Sequence, residues 1–162
     1  MTIFLRDEFK IIPLSISGFS AGGILTLVLS SVIFPQATFK NVLAVYPPTD
    51  MVQSAANKIA PDESRDGAPG ELLDAFVRCY HANLEDVKSV LASPAAIPAE
   101  KFSDWISLVT AACDRLCLEG ETLGNKISNA TAKHVQMHGY DGREHAFDNA
   151  YEKGSVQERA KK

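Results

Sequence analysis

The sequence predicts an α/β fold, a mostly parallel sheet of about four strands with flanking helices. Short apolar runs alternate along the chain with segments whose apolar residues recur at helical spacing. This alternation is typical of parallel strands joined by helices. The chain has 162 residues, of which 46% are hydrophobic, so it is long enough for one compact core. Because no repeat or low-complexity tract interrupts the pattern, we expect a single domain over residues 1–162.

The first half of the chain supplies two strands and one helix. Residues 10–17, KIIPLSIS, form an apolar, β-branched run that predicts a buried strand, with Pro13 in its first turn. Residues 21–34 are apolar and long enough for a buried helix, and Pro35 would end that helix. Residues 41–46 predict a second strand, which two consecutive prolines terminate.

The second half of the chain continues the alternation. Apolar spacing predicts a helix within residues 70–84, and residues 105–114 predict a strand that ends on an acid. A further helix is predicted over residues 118–130, and the weakly alternating residues 133–140 predict a fourth strand. A polar turn follows, and residues 155–162 resemble the first turns of a final helix.

Charge and cysteine content exclude several classes of protein. The net charge is −4, from 16 basic and 20 acidic residues. This balance does not indicate a basic surface for binding nucleic acid or an anionic membrane. No run approaches the length of a membrane span, and the N-terminus does not resemble a secretory signal. Cys79, Cys113 and Cys117 are too few for a disulfide framework, and no second pair accompanies the last two to make a zinc site. We therefore predict a cytoplasmic protein without a bound metal.

A serine between glycines occupies the corner between the first strand and the first helix. The segment Gly18-Phe19-Ser20-Ala21-Gly22 matches the pattern of a nucleophile elbow. The two glycines are expected to leave room for the strand and the helix, while N–H groups of the helix N-terminus face a developing oxyanion. The plainer alternative is a glycine-rich turn with an incidental serine. A dinucleotide-binding loop is disfavoured because the glycines lack G-x-G-x-x-G spacing.

Candidate partners for this serine follow it in the chain. A serine hydroxyl needs a histidine to take its proton and an acid to orient that histidine. Asp114 ends the third predicted strand, where open α/β sheets place their chemistry, and His145 lies in the loop after the fourth. Two alternatives stay open at this point. Asp114 could cap the next helix, and His134 and His138 compete with His145, although their spacing would suit a shared metal only on a helix.

Four blocks of sequence resemble the hormone-sensitive-lipase-like branch of the α/β-hydrolase family: SISGFSAGG, LAVYPPTD, TAACDRLCLEGE and GREHAFD. The resemblance implies that Ser20 is the nucleophile, Asp114 the acid and His145 the base, with the backbone N–H of Ala21 as an oxyanion donor. It also implies an esterase or lipase that uses no cofactor and acts on small-molecule carboxylic esters, often with short acyl chains. Phe19 departs from this branch, in which an acidic residue is more usual at that position.

The resemblance covers the C-terminal half of such an enzyme. Nothing in residues 1–19 resembles the HGGG loop that supplies the family's second oxyanion donor. We therefore expect a partial α/β-hydrolase fold that lacks the N-terminal half of the sheet and runs from the nucleophile strand to the start of the last helix. Its esterase activity should be weak or absent. The alternative is a non-catalytic remnant that binds a partner or associates with itself through an exposed sheet edge. Leu116 and Phe147 are expected as pocket walls or as core residues.

Overall fold

The fold places four strands and three α-helices in alternation. The computed structural model describes residues 14–65, 67–81 and 83–149. The strands are β1 (Leu14–Phe19), β2 (Phe39–Val45), β3 (Trp105–Ala111) and β4 (His134–Tyr140). The α-helices are α1 (Ala21–Val28), α2 (Gly70–Tyr80) and α3 (Cys117–Ala130). A π-helical turn (Leu29–Ile33) and 3₁₀ turns at Ala55–Asn57, Leu84–Lys88, Pro94–Ala96 and Ala99–Lys101 complete the described elements.

The four strands form one parallel sheet in the order β1-β2-β3-β4. The register pairs Gly18 with Ala44, Ala44 with Leu108, and Leu108 with Met137. This arrangement confirms the predicted sheet of four parallel strands with flanking helices. Because all strands run the same way, their carboxyl ends meet along one edge, where sheets of this kind carry their sites.

Most element boundaries agree with the sequence prediction, and the differences have local causes. The first helix changes from α to π geometry after Val28 and ends before Pro35, which has no N–H to continue it. The third strand ends at Ala111 instead of Asp114, because the chain turns there and the Asp114 N–H donates to the Ala111 carbonyl at 3.0 Å. The helix predicted within residues 70–84 ends at Tyr80. Residues 10–13 and 155–162, for which we predicted parts of a strand and a helix, lie outside the described residues.

One apolar core lies between the sheet and its helices. Helix α1 packs on β1 and β2, and helix α3 packs on β3 and β4. The core is formed by buried side chains from these elements and the loops between them: Leu27, Phe39, Val42, Ala44, Ile97, Phe102, Ile106, Leu108, Leu123 and Ile127. This core fixes the carboxyl ends of β1, β2 and β3 relative to one another.

The two outer strands of the described sheet are more exposed than its centre. Strand β1 alternates half-buried and exposed residues, and almost every residue of β4 is exposed. Within the described residues, β1 pairs only with β2, and β4 pairs only with β3. In the same residues, every helix is too short or too polar to cross a bilayer.

Candidate active site

Ser20 forms the corner between β1 and α1. Its backbone has φ 50° and ψ −120°, a conformation that L-residues rarely adopt and that costs about 1–3 kcal/mol. Hydrogen bonds hold this corner. The Ser20 N–H donates to the Val45 carbonyl at 2.9 Å, and the Ser20 carbonyl accepts from Gly23 N–H at 2.8 Å. The serine side chain is thereby turned out of the sheet at its carboxyl edge.

Close packing around the elbow explains two of its glycines. A Cβ on Gly18 would lie 2.1 Å from the Gly22 carbonyl oxygen, and a Cβ on Gly23 would lie 2.8 Å from Pro47 Cβ. A Cβ on Gly22 would meet nothing within 4 Å. From the sequence we assigned this steric role to Gly18 and Gly22. That assignment is correct for Gly18 and wrong for Gly22, because the helix approaches the end of β2 one residue later.

Asp114 lies in the tight turn that follows β3. Its side chain is 3% exposed. One carboxylate oxygen, Oδ1, accepts from the Leu116 N–H at 3.0 Å, and the other, Oδ2, lies 2.7 Å from His145 Nδ1. Helix α3 begins at Cys117 with Leu116 at its N-cap, so the alternative that Asp114 caps this helix is wrong. The Asp114 side chain instead forms an Asx turn through Oδ1, and its Oδ2 faces the imidazole of His145.

His145 reaches Ser20 from the loop after β4. Its Nε2 atom lies 2.8 Å from Ser20 Oγ. With the Nδ1 proton donated to Asp114, Nε2 is left as the acceptor for the Ser20 hydroxyl proton. The competing histidines lie elsewhere. His134 and His138 are exposed on β4, and the His134 ring stacks on Trp105 at 3.9 Å between centroids.

The structure therefore brings together the three residues that the sequence analysis selected. Ser20, Asp114 and His145 form a continuous chain of two hydrogen bonds at the carboxyl edge of the sheet. Ala21 is the first residue of α1, where backbone N–H groups have no acceptor within the helix. Its N–H lies next to Ser20 at the start of the helix.

A cavity of about 540 Å³ opens in front of Ser20 and His145. Its walls are mostly apolar, and part of them comes from helix α2 through Leu73, Phe76 and Val77. From the sequence we did not assign α2 to the site, because helical spacing identifies an apolar face without showing what that face covers. Of the two candidate wall residues, Leu116 is buried and lines the cavity, whereas Phe147 packs its ring against Tyr46 and Tyr140.

A buried ion pair fixes the segment behind this cavity. Lys58 and Glu119 form a salt bridge with side chains 7% and 11% exposed. Lys58 Nζ also donates to the Asp50 carbonyl at 2.6 Å, and Glu119 accepts from Thr49 N–H at 2.7 Å. Burial raises the pKa of Glu119, and the Lys58 ammonium opposes that rise. The pair ties the chain after β2 to the first turn of α3, next to Asp114.

No group of three His, Cys, Asp or Glu side chains within the described ranges is placed to hold a metal.

Tyr46 is a feature of the site that the sequence analysis missed. Its ring packs against the His145 ring with centroids 4.7 Å apart, and its hydroxyl donates to the Asp148 carboxylate. The available signal was an aromatic residue at the end of β2, directly before Pro47 and Pro48. Nothing in the sequence indicates that the loop around His145 folds back onto it.

A protein-family model described as the alpha/beta hydrolase fold matches residues 7–149. Because the match covers most of the chain, the chain belongs to the α/β-hydrolase-fold family of esterases and lipases, and the resemblance inferred from its sequence is confirmed. No curated protein sequence matches it.

Solved structures of esterases share the fold. EstE1, a thermophilic and thermostable carboxylesterase cloned from a metagenomic library, matches with a TM-score of 0.74 and 24% identity over 91% of this chain and 52% of its own. Carboxyl esterase 2 of the mycorrhizal fungus Tuber melanosporum matches at 0.73 and 17% identity, over 99% and 55%. The hyperthermophilic esterase from the archaeon Pyrobaculum calidifontis matches at 0.70 and 21%, over 83% and 45%. The chain spans about half the length of these esterases, and the likeness at this identity is one of fold.

Proposed function

We propose that this chain is a serine carboxylic-ester hydrolase with Ser20 as nucleophile, His145 as general base and Asp114 as the acid that orients His145. The observation that supports it most is the pair of hydrogen bonds, 2.8 Å between Ser20 Oγ and His145 Nε2 and 2.7 Å between His145 Nδ1 and Asp114 Oδ2. A hydroxyl, an imidazole and a buried carboxylate in this order form the arrangement that activates serine nucleophiles.

The proposed reaction has two steps. In the first, Ser20 Oγ bonds to the ester carbonyl carbon while His145 Nε2 takes the hydroxyl proton. The resulting imidazolium, stabilised by Asp114, gives that proton to the leaving alcohol oxygen as the ester C–O bond breaks. In the second, water attacks the acyl-enzyme with the same proton transfers. The carboxylic acid leaves, and Ser20 regains its proton.

The N-terminus of α1 supplies the proposed oxyanion donor. The Ala21 N–H lies in the first turn of the helix, where it and the helix dipole favour negative charge on the former carbonyl oxygen. Removing one such donor costs about 10²–10³ in turnover.

Small-molecule esters are the proposed substrates. The cavity of about 540 Å³ begins at Ser20 and is lined mainly by apolar side chains. Such a cavity favours an ester with at least one apolar group, because burial of that group is favourable by about 25 cal/mol per Å². The reaction scheme needs no metal or cofactor.

Hydrolysis of p-nitrophenyl acetate and butyrate by the purified chain tests the proposal. We expect a rate above the buffer background that Ser20→Ala abolishes. The matched control is Ser17→Ala, which removes an exposed hydroxyl from the same strand and should leave the rate unchanged. Equal rates for the wild type and Ser20→Ala would contradict the proposed function.

A second candidate function is self-association through the edge of β1. This strand pairs with β2 alone among the described strands. Phe19 at its end is 51% exposed, and the helical segment that follows exposes Leu25 (51%) and Ile33 (55%). Open strand edges and exposed apolar patches are sites of chain association. We propose that β1 pairs with β1 of a second copy.

Light scattering on the eluting protein tests this association. Lysines at two exposed edge positions, Ser15→Lys with Ser17→Lys, should convert a dimer into a monomer. Lysines at two exposed α3 positions, Asn125→Lys with Asn129→Lys, should leave the dimer intact. A wild-type chain that elutes as a monomer at all concentrations would eliminate this candidate.

We propose the cytoplasm as the location of the protein because its cysteines are free. Cys79 is exposed, Cys113 and Cys117 are buried, and all three are free thiols, as is usual in a reducing compartment. Burial raises the pKa of Cys117 to about 11, so this thiol stays protonated and unreactive at neutral pH. Recovery of the chain from the culture medium of its own host would contradict this location.

A further inference from the structure

Tyr46 has a strained backbone in a buried position beside the site. It follows β2 directly, with φ 38°, and its side chain is buried. A residue other than glycine in this region costs about 1–3 kcal/mol, and the surrounding structure must impose it. Here the Tyr46 N–H donates to the Val109 carbonyl at 2.7 Å. The backbone of Tyr46 is thus fixed to the central strand β3, and its side chain leaves the sheet at the edge that carries Ser20.

The Tyr46 side chain contacts the loop of His145 at two places. Its ring packs edge-on against the imidazole, with centroids 4.7 Å apart and planes at 61°. Its hydroxyl donates to the carboxylate of Asp148, three residues further along. The Phe147 ring, between these two points, also lies 5.9 Å from the Tyr46 ring. One rigid side chain therefore holds the loop before and after Phe147.

The loop around His145 has few other attachments. Within the described residues, its backbone is tied to the turn after β3 by the Cys113 N–H, which donates to the Arg143 carbonyl at 2.8 Å. A local turn joins the Asn149 N–H to the Ala146 carbonyl at 2.9 Å, and Ala146 itself has φ 60°. Side chains that carry out proton transfer must be held within about 0.5 Å of their working geometry. The Arg65–Glu144 ion pair, at 3.5 Å between side chains that are 54% and 41% exposed, adds an attachment before His145. Beyond His145, the hydrogen bonds of the described residues are the local turn and the Tyr46–Asp148 bond.

Tyr46 takes no direct part in the proton transfers. Its hydroxyl points to Asp148, away from the hydrogen bonds that join Ser20, His145 and Asp114. Burial, the hydrogen bond to Asp148 and the negative charges of Asp148 and Asp114 raise the pKa of Tyr46 above its ordinary value. The phenol therefore stays protonated and keeps donating to Asp148 throughout the neutral and mildly alkaline range.

We propose that Tyr46 is a positioning residue, which holds His145 between Ser20 and Asp114 by packing on the imidazole and by binding Asp148. The consequence for catalysis rests on the proposed function, whereas the placement of the imidazole does not. Loss of the Tyr46 hydroxyl should release the far end of the loop and let the imidazole leave its hydrogen bonds.

Nitrogen-15 NMR of the histidine rings tests the placement directly. In the wild type, His145 should show a single tautomer with the proton on Nδ1, since Asp114 accepts it. Tyr46→Phe keeps the ring but removes the hydroxyl, and should give a mixture of tautomers. The matched control is Tyr140→Phe, because the Tyr140 ring contacts Phe147 and not His145. If Tyr46→Phe does not fold, Asp148→Ala, at an exposed position, removes the same hydrogen bond. An unchanged His145 spectrum in the folded variant overturns the proposal.

Ester hydrolysis supplies the second measurement. Tyr46→Phe should lower kcat about 10- to 100-fold with little change in KM, because displacing a catalytic group by about 1 Å costs up to 10²-fold. Asp148→Ala should have the same effect, and the double variant should be no worse than either single variant, since both remove one hydrogen bond. Asp148→Asn, which retains an acceptor oxygen, should restore part of kcat. A wild type without activity rejects the proposed function, while the NMR spectra still decide the role of Tyr46.

Discussion

Ser20 and Asp114 lie at the ends of paired strands, whereas His145 and the α2 wall of the cavity lie on connecting segments. The positions of Ser20 and Asp114 are set by backbone hydrogen bonds to the ends of the strands. Ser20 N–H binds the Val45 carbonyl, and Asp114 N–H binds the Ala111 carbonyl. The second pair is attached to the rest of the fold largely through side-chain contacts. The loop of His145 is joined to Tyr46 by the Tyr46–Asp148 hydrogen bond, and α2 is joined to the chain after β2 by Asp74, which accepts hydrogen bonds from the Ser54 hydroxyl and the Ala55 N–H.

This difference separates two kinds of sensitivity. A change in the backbone packing of the sheet side, as at Gly18, must disturb the fold before it reaches the site, so its main effect is on stability. A change on the loop side removes one polar tie, so it can alter the site while most of the fold persists. Loops carry functional groups in many folds for this reason. The following predictions test each side in turn, from the largest expected effect to the smallest.

The largest effect should come from Asp114→Asn. The amide keeps an oxygen that can accept from the Leu116 N–H, so the turn after β3 should persist. The substitution removes the charge that stabilises the His145 imidazolium and favours the wrong tautomer. We expect ester hydrolysis to fall about 10⁴-fold or to the background, with the melting temperature close to that of the wild type. A variant that keeps a tenth of the activity would show that Asp114 does not orient His145.

The next effect should come from the elbow glycines. Gly18→Ala places a methyl group 2.1 Å from the Gly22 carbonyl oxygen, and backbone must move to relieve it. We expect a loss of about 3 kcal/mol in the free energy of unfolding, at the upper end of overpacking costs. Gly22→Ala is the matched control, since its methyl group meets nothing within 4 Å, and alanine should stabilise the helix by up to about 1 kcal/mol. Urea denaturation of both variants measures the difference. Equal stabilities would refute the packing described for the elbow.

The smallest effect should come from Asp74, which fixes α2. The hydrogen bond from Ser54, with those from Ala55 and Ala56, lowers the pKa of Asp74 below its ordinary value of 3.8. The ionised carboxylate therefore stabilises the fold above the unfolded-state pKa, and this stabilisation is lost as the pH falls through the lower, folded-state pKa. Asp74→Asn should cost about 1 kcal/mol at pH 7, the value of a typical hydrogen bond.

Urea denaturation between pH 7 and about pH 3 measures this dependence, since the unfolded carboxyl titrates near 3.9. The difference in unfolding free energy between the wild type and Asp74→Asn should shrink toward the acid end of the range. A difference that stays constant with pH would mean that the Asp74 charge does not hold α2.

The sequence predicted the sheet side of the site well. The alternation of apolar runs and helical spacing predicts β1, β2 and β3 because these strands are short, apolar and ended by turns, and the weak alternation of residues 133–140 predicts β4. The elbow is identified by local order alone, since Gly18 and Ser20 lie within one corner. The prediction extended the third strand to Asp114, three residues beyond its observed end at Ala111. A pattern of apolar residues does not show where parallel pairing stops.

The loop side was predicted less fully, for a physical reason. His145 was selected by its position after the last strand. The Tyr46–Asp148 hydrogen bond could not be predicted, because it joins residues far apart in the chain and depends on the geometry of the loop. The same applies to Gly23, whose close neighbour Pro47 comes from the end of β2. Helix α2 shows an apolar face in its spacing, yet only the folded chain reveals that this face borders the cavity of Ser20.

The most direct test of the central claim, that His145 activates Ser20, is the rate at which a fluorophosphonate labels Ser20 in the whole chain. Peptide mass spectrometry locates the label, and His145→Ala is compared with the wild type and with His138→Ala, which changes an exposed histidine on β4. We predict labelling at Ser20 that His145→Ala slows at least about 100-fold, the usual contribution of a general base, and that His138→Ala leaves unchanged. Labelling of Ser20 at the same rate with and without His145 would contradict the account.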